Sequence, residues 1–384
     1  MKKTPQKPDA KKNVLAHTQA KLDLYKGYLE HYLRVLSYAD FCKRINIFDI
    51  YCGAGVYDDG KKGSPLLAID CINNVNTEIV NKGKPLKQIH LSVNDYDAQK
   101  IENVKCNANT QNIGNCNIEY YNKDANEMLD MVARRVSSYP IEYRNLVFID
   151  PYGYSNINKD KFISLLHNKY TEIILFLPVM QMYRFTKIAF IDEERPHYEN
   201  LRQFIISFFK DYSSIRTNTI FDYINSIKEA LSINNTYFTC SHYIEREKGR
   251  YYALFFISSS IYGLEKMLET KWKLDPVRGK GFNQNKNTLQ LSMFEEEMNE
   301  IDNLREISYL ENLIYQSIKQ NGEITNIGIY KLTLTNEFLP KHANLAIKEL
   351  LAQNKIQEVS NSSGYGINYA NYKNKSVTSK FKAL

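Results

Sequence analysis

The segment RINIFDIYCGAG, residues 44–55, constrains the fold of this chain more than any other. An apolar run of strand length stops at a glycine-bearing loop, and a helix is predicted after Gly63, with Ser64 as N-cap and Pro65 in the first turn. Strand, glycine loop and helix in that order make the opening unit of an α/β fold. An amphipathic helix comes before it, because Leu22, Tyr25, Leu29, Tyr32, Leu33 and Leu36 recur at spacings of three and four between His17 and Tyr38.

The alternation continues. Strands are predicted at KQIHLSVND and NIEYYN, with helices near residues 97–105 and across ANEMLDMVARRV. RNLVFIDPYG is a near-continuous apolar strand of the kind buried on both faces in a parallel sheet. The helix NKDKFISLLHN and the strand TEIILFLPV complete five β/α units, which predict a doubly wound sheet with ligands at the carboxyl ends of its strands. Residues 180–235 read as a helical insertion, and TYFTCSHYIE with YYALFFISSS as a β-hairpin around the turn REKGR. A mostly parallel sheet closed by an antiparallel C-terminal hairpin is the Rossmann-like form used by S-adenosylmethionine (SAM) methyltransferases, whereas dinucleotide dehydrogenases end on a parallel strand.

Three further segments complete the expected organisation. Residues 1–16 form a basic tail, 17–290 the α/β domain, and 291–303, with the acidic run Glu295–Glu297, a linker. In residues 304–384 a helix on Leu304, Ile307, Leu310, Ile314 and Ile318, a second at ITNIGIYKL, a third at PKHANLAIKELLAQ and two short strands around SNSSGYG describe a small winged helix-turn-helix domain.

Charge placement says more than the net value of +7. Residues 1–13 hold five lysines against one aspartate, and residues 304–384 hold ten basic against six acidic residues, so a polyanion is attracted mostly at the two ends. No run of 18 apolar residues occurs and no secretory pattern follows the first lysines, which excludes a membrane span and predicts a cytoplasmic location. The closest cysteine pairs have nine intervening residues. That is not metal-ligand spacing, so no metal site is predicted and each cysteine reads as a small buried hydrophobe.

The chemistry sits at strand ends. In Asp49, Ile50, Tyr51, Cys52, Gly53, Ala54, Gly55, the glycines let backbone pass close under a nucleoside, and Asp49 is placed for the charged amino-acid end of SAM. Position 58 is Asp where a dinucleotide fingerprint needs its third glycine, which argues against NAD. The loop from Asp49 through Tyr51 to Gly55 is the expected cofactor site, joined by Asp95 for the ribose hydroxyls and Asp124 for the adenine amino group. Asp124 also reads as a helix N-cap, and the two roles are compatible.

Asp150, Pro151, Tyr152, Gly153 end the fourth strand. An acidic side chain and a proline carbonyl there accept hydrogen bonds from an exocyclic amine and aim its lone pair at a methyl group, while an aromatic ring stacks on the base; this is catalysis by orientation. The same tetrapeptide also reads as a plain turn. His17 and Lys21, one helical turn apart, either reach this cleft or are surface residues of a packing helix.

HTQAKLDLYKGYLEHYL, DIYCGAGVY with GSPLLAI, NDYD, IDPYG and WKLDPVRGKGF together resemble the three-Cys-motif partner (TcmP) family over residues 15–290. The resemblance implies a methyltransferase-like protein with an attached winged helix, a radical-SAM-like three-Cys-motif partner, and a bacterial defence or mobile-element setting. The tetrapeptide departs from the amino-methyltransferase pattern in having its aromatic third and glycine fourth.

For nucleic acid, Lys341, His342, Asn344 and Lys348 lie off the apolar stripe of the third C-terminal helix, and Arg278 and Lys280 flank Gly279 and Gly281 as candidate phosphate contacts. Two readings of function result: a SAM-dependent methyltransferase acting on an exocyclic amine of a nucleic-acid base, or a non-catalytic SAM- or nucleotide-binding adaptor for a radical-SAM-like protein or nucleic acid. A nucleotide-dependent regulator that binds DNA through the wing is a third.

Overall fold

A computed structural model describes residues 14–111, 114–151, 153, 157–191, 196–209, 214–247, 249–283, 293–359 and 364–384. They fall into two compact units, Met1–Pro178 with Asp192–Ser207, and Val179–Ile191 with Phe208–Leu384. The expected basic tail lies outside the described residues, apart from residues 14–16.

The first unit alternates as predicted. Helix α1 (Ala16–Tyr38) leads into β1 (Arg44–Asp49), α2 (Ser64–Asn81), β2 (Gln88–Asn94), α3 (Ala98–Asn109), β3 (Cys116–Tyr121), α4 (Ala125–Ser138), β4 (Tyr143–Ile149), α5 (Lys159–Leu166) and β5 (Thr171–Leu177). The five strands are parallel in the order β3-β2-β1-β4-β5. From β1 the chain steps outward to β2 and β3, then returns to β4 on the other side. The crevice at the carboxyl ends of β1 and β4 is therefore the switch point where such sheets bind ligands.

Burial explains the apolar runs. Ile45, Ile47 and Phe48 of β1 and Leu146 to Ile149 of β4 are all buried, because helices cover both faces. At the opposite end of the sheet, Asn46 donates to Asn145 Oδ1 at 2.9 Å, and Asn145 donates to Thr171 Oγ1 at 3.3 Å, so this buried polar row pins β1, β4 and β5 in register. The stripe of α1 buries Leu24, Tyr25, Tyr28, Leu29 and Leu33, and Tyr25 stacks on Phe148 with centroids 4.3 Å apart. Five cysteines are buried and unbridged as expected; Cys106 differs, being exposed on α3.

The predicted insertion is helical, comprising α6 (Val179–Ile191), α7 (Glu199–Phe208) and α8 (Ile220–Leu231). In the second unit β6 (Phe238–Glu247) and β7 (Arg250–Ser258) form the expected antiparallel hairpin, followed by α9 (Ile261–Leu274) and the short β8 (Gly281–Asn283), which pairs parallel to β6. The parallel strands and this hairpin are the α/β, Rossmann-like architecture that the sequence predicts.

The C-terminal part follows as α10 (Met293–Asn321), β9 (Glu323–Thr325), α11 (Asn326–Thr335), α12 (Pro340–Ala352), β10 (Ile356–Glu358), α13 (Tyr369–Asn374) and β11 (Lys380–Ala383). Its strands are antiparallel in the order β10-β11-β9. Two expectations need correction here. The acidic run Glu295–Glu297 belongs to α10 and not to a linker, since Glu, Met and Leu favour helix and the charge alone suggested a break. The two strands lie at 356–358 and 380–383, on either side of SNSSGYG and α13, and β9 was not foreseen because three residues carry no readable periodicity.

The α11–α12 turn is clamped. Glu337, at φ 66°, extends its carboxylate between Lys228 of α8 at 2.6 Å and the fully buried Lys271 of α9, while its carbonyl accepts from Trp272 Nε1 at 2.9 Å. The two ammonium groups outweigh the effect of burial and hold the Glu337 carboxyl down at about 2. Among the described residues, no helix is long and apolar enough to cross a membrane.

Candidate cofactor and catalytic site

The glycine loop is held by contacts within the chain. Gly53 and Gly55 adopt φ of 64° and 80°, a region that favours glycine. A side chain at Gly55 would meet Val104 Cγ2 at 3.1 Å, but one at Gly53 would meet nothing within 4 Å. Open space therefore lies over the first glycine. The chain then doubles back, with Val56 bridging Lys62 and the Gly63 amide donating to the Gly55 carbonyl at 2.7 Å, to enter α2 at Ser64.

Asp49 ends β1 under this loop and is fully buried, yet neither of its oxygens has a hydrogen-bond partner. Burial pushes its carboxyl up to about 7, and the nearby Asp150 and Asp95 push in the same direction. The Ser64 hydroxyl and the Tyr51 amide lie close enough to offset part of the shift, without reaching good hydrogen-bonding geometry. The Tyr25 hydroxyl is likewise buried and unpartnered; desolvation first, then the charge of Asp49, hold it well above the ordinary phenol value. Tyr51 is half-buried in the loop itself.

Asp95 is buried beyond the end of β2 and accepts from the Gly53 amide at 3.2 Å and the Asp97 amide at 2.9 Å. Its neighbour Asn94 joins three strand ends, donating to the carbonyls of Ile50 and Lys123 and accepting from the Lys123 amide. Sequence reasoning passed over Asn94, although an amide at the end of a strand whose last residues are buried is a visible signal. Asp124 accepts from the Asn126 amide at 2.8 Å and so N-caps α4, with its side chain half-buried at the end of β3.

Asp150 and the buried Pro151 follow β4. The Lys21 ammonium of α1 donates to Asp150 Oδ2 and stands 4.9 Å from the Phe176 ring centroid. Burial opposes the charge on Lys21, but Asp150, with Tyr57 and Asp49 contributing, outweighs it and raises the ammonium above the usual lysine value. Of the two readings for α1, Lys21 takes the one that reaches the cleft, and His17 is buried as well. Tyr152 lies outside the described residues. The structure thus brings Asp49, Gly53, Gly55, Asp95 and Asp150 together, with Lys21 and Tyr25 added from α1.

The nucleic-acid candidates in the second unit divide. Lys341, Asn344 and Lys348 are exposed on α12. His342 is corrected: it is buried, 4.2 Å from the Trp272 ring centroid, and its Nδ1 accepts from the Leu339 amide, because the start of α12 packs on α9. Lys280 is exposed, and its ammonium pairs with Glu306 at 2.6 Å. Arg278 is half-buried in a built loop, where Asp275 accepts from the amides of Arg278, Lys280 and Gly281.

No family model matches the sequence, and no curated protein matches it. Among solved structures, two of WbdD, one described as a bifunctional kinase-methyltransferase, match at 13% and 14% identity over 62% of this chain, with TM-scores of 0.33 and 0.32. The chain spans 40% and 39% of their lengths. A loganic acid methyltransferase with SAH matches at 10% identity over 65% of this chain and 98% of its own, with a TM-score of 0.26.

Proposed function

We propose that this chain is a SAM-dependent methyltransferase acting on an exocyclic amine of a nucleic-acid base. One observation carries the reading: Asp49 is a fully buried carboxylate with both oxygens unpartnered, at the start of the loop in which a side chain at Gly53 would meet nothing within 4 Å. A buried carboxylate without partners is costly, and a site that binds a cation removes the cost when filled. The ammonium of SAM is such a cation. Asp49 and the Tyr25 hydroxyl would hold it, Asp95 has lone pairs left for ribose hydroxyls, and Asp124, after β3, would take the adenine amino group. SAM supplies an activated methyl group; Asp150 and the Pro151 carbonyl would orient the acceptor amine, with Tyr152 as its stacking ring.

The remaining readings belong with this one. The C-terminal order of helix, strand, two helices and two strands supports a winged helix, whose exposed Lys341, Asn344 and Lys348 suit a polyanion. Membership of the TcmP family, a radical-SAM-like three-Cys-motif partner, a bacterial defence or mobile-element setting and a cytoplasmic location are proposed on the sequence resemblance and patterns given above. The adaptor reading keeps one observation in its favour, the Lys21 ammonium on Asp150, which occupies part of the acceptor carboxylate.

Calorimetric titration with SAM and with S-adenosylhomocysteine (SAH) tests the cofactor site. Binding in the micromolar range, about −8 kcal/mol, is expected, and Gly53→Asp should abolish it by filling the open space. Aspartate is one of the few side chains found in the left-handed region, which limits the backbone strain, and circular dichroism checks that the variant is folded. Absence of binding of both ligands to the wild type overturns the reading.

A further inference from the structure

Helix α1 delivers a cation to the acidic end of the sheet. Lys21 and Asp150 are 129 positions apart in sequence, and their side chains are 12% and 20% exposed. Lys21 uses Oδ2; among the described residues Asp150 Oδ1 makes no hydrogen bond. Around the pair stand Asp49 of β1, Asp95 after β2, Tyr57 of the glycine loop and Tyr25 of α1. Three carboxylates thus converge on one crevice, and one of them is charge-balanced by a lysine.

That difference has a chemical meaning for a cationic methyl donor. An unpaired carboxylate near a sulfonium attracts it strongly in a site of low effective dielectric, whereas an ion pair presents only a dipole, whose pull falls off faster. With Asp150 paired, the net attraction belongs to Asp49 and Asp95, away from the acceptor side. We propose that Lys21 is a positioning residue that fixes Asp150 as an oriented, charge-balanced carboxylate, leaving Oδ1 for the methyl acceptor and keeping the sulfonium from collapsing onto the acid. The proposal rests on the methyltransferase reading above.

SAM and SAH differ by one positive charge at the sulfur, so their affinity ratio reads the charge beside it. Wild type, Lys21→Met, Lys21→Arg and Asp150→Asn are titrated with both. Lys21→Met leaves a bare carboxylate, so the ratio should shift about tenfold toward SAM; Asp150→Asn leaves a bare ammonium and should shift it about tenfold toward SAH. Lys21→Arg should keep the wild-type ratio. Lost packing alone would move both ligands alike, so an unchanged ratio in Lys21→Met and Asp150→Asn overturns the proposal. A second measurement needs no ligand: NMR titration of the Lys21 side chain, which should lose its proton at lower pH in Asp150→Asn than in the wild type. Identical titration in the two proteins also overturns the proposal. If neither ligand binds while Lys21 titrates as expected, the cofactor reading fails, and the positioning role goes with it while the ion pair is upheld.

Discussion

At the scale of single residues, Asp49 ties stability to pH with a definite sign. Its carboxyl is raised from 3.8 to about 7 in the folded chain. Below pH 4 it is protonated in both states. Between pH 4 and 7 the unfolded chain releases the proton and the folded chain keeps it, so stability falls as pH rises, by about 4 kcal/mol at most. Above pH 7 the full cost is present. Thermal unfolding at pH 4.5 and pH 8 should show the loss in the wild type and a smaller one in Asp49→Asn; equal slopes would refute it. The clustering of the strand-end acids and the glycine pair was legible because each follows a strand of one parallel sheet, which brings their positions to the same edge. Tyr25 was legible only as part of a stripe, since nothing local marks a hydroxyl that faces a carboxylate. Lys21 could be flagged but not paired, because its partner is distant in sequence and only the sheet order unites them.

Among elements, the α11–α12 turn is the most exacting. Glu337 lies between two ammonium groups, one of them on the fully buried Lys271, so Glu337→Ala would leave both without their carboxylate and should cost about 3–5 kcal/mol. Chemical denaturation reads this directly, and a change below 1 kcal/mol would show that the triad does little. Its carboxyl is depressed from 4.5 to about 2, so this contribution is present above pH 4.5 and is lost as pH falls toward 2, opposite in sign to that of Asp49. Strand and helix alternation through β5 was readable because buried parallel strands are continuous apolar runs. The boundary before α10 was not, since acidic residues suit an exposed helix as well as a linker. The His342 error has the same root: a stripe shows which face meets a helix's own neighbours, and a second contact, here with Trp272, lies beyond it.

For the molecule as a whole, the division into units does not follow the domain boundary expected at residue 304. The second unit contains Val179–Ile191 and everything from Phe208 onward, so the C-terminal elements share a unit with the hairpin. A chain ending at residue 303 would remove Glu337 and uncover Lys271 and Trp272, which are buried in the full chain. It should aggregate or unfold at a markedly lower temperature than the intact protein; an unchanged midpoint would mean that the C-terminal part is an independent domain after all.

The bond from the Gly53 amide to Asp95 bears on how fast a ligand can be captured. A loop already fastened to the neighbouring strand end has little freedom left to lose, so the entropic penalty of ordering it falls in folding and not in association. Capture then resembles a key entering a cut lock. The Gly53 amide should resist hydrogen exchange in the ligand-free protein almost as well as in the complex, and the rate of association should be set by diffusion into the crevice and not by closure of the loop.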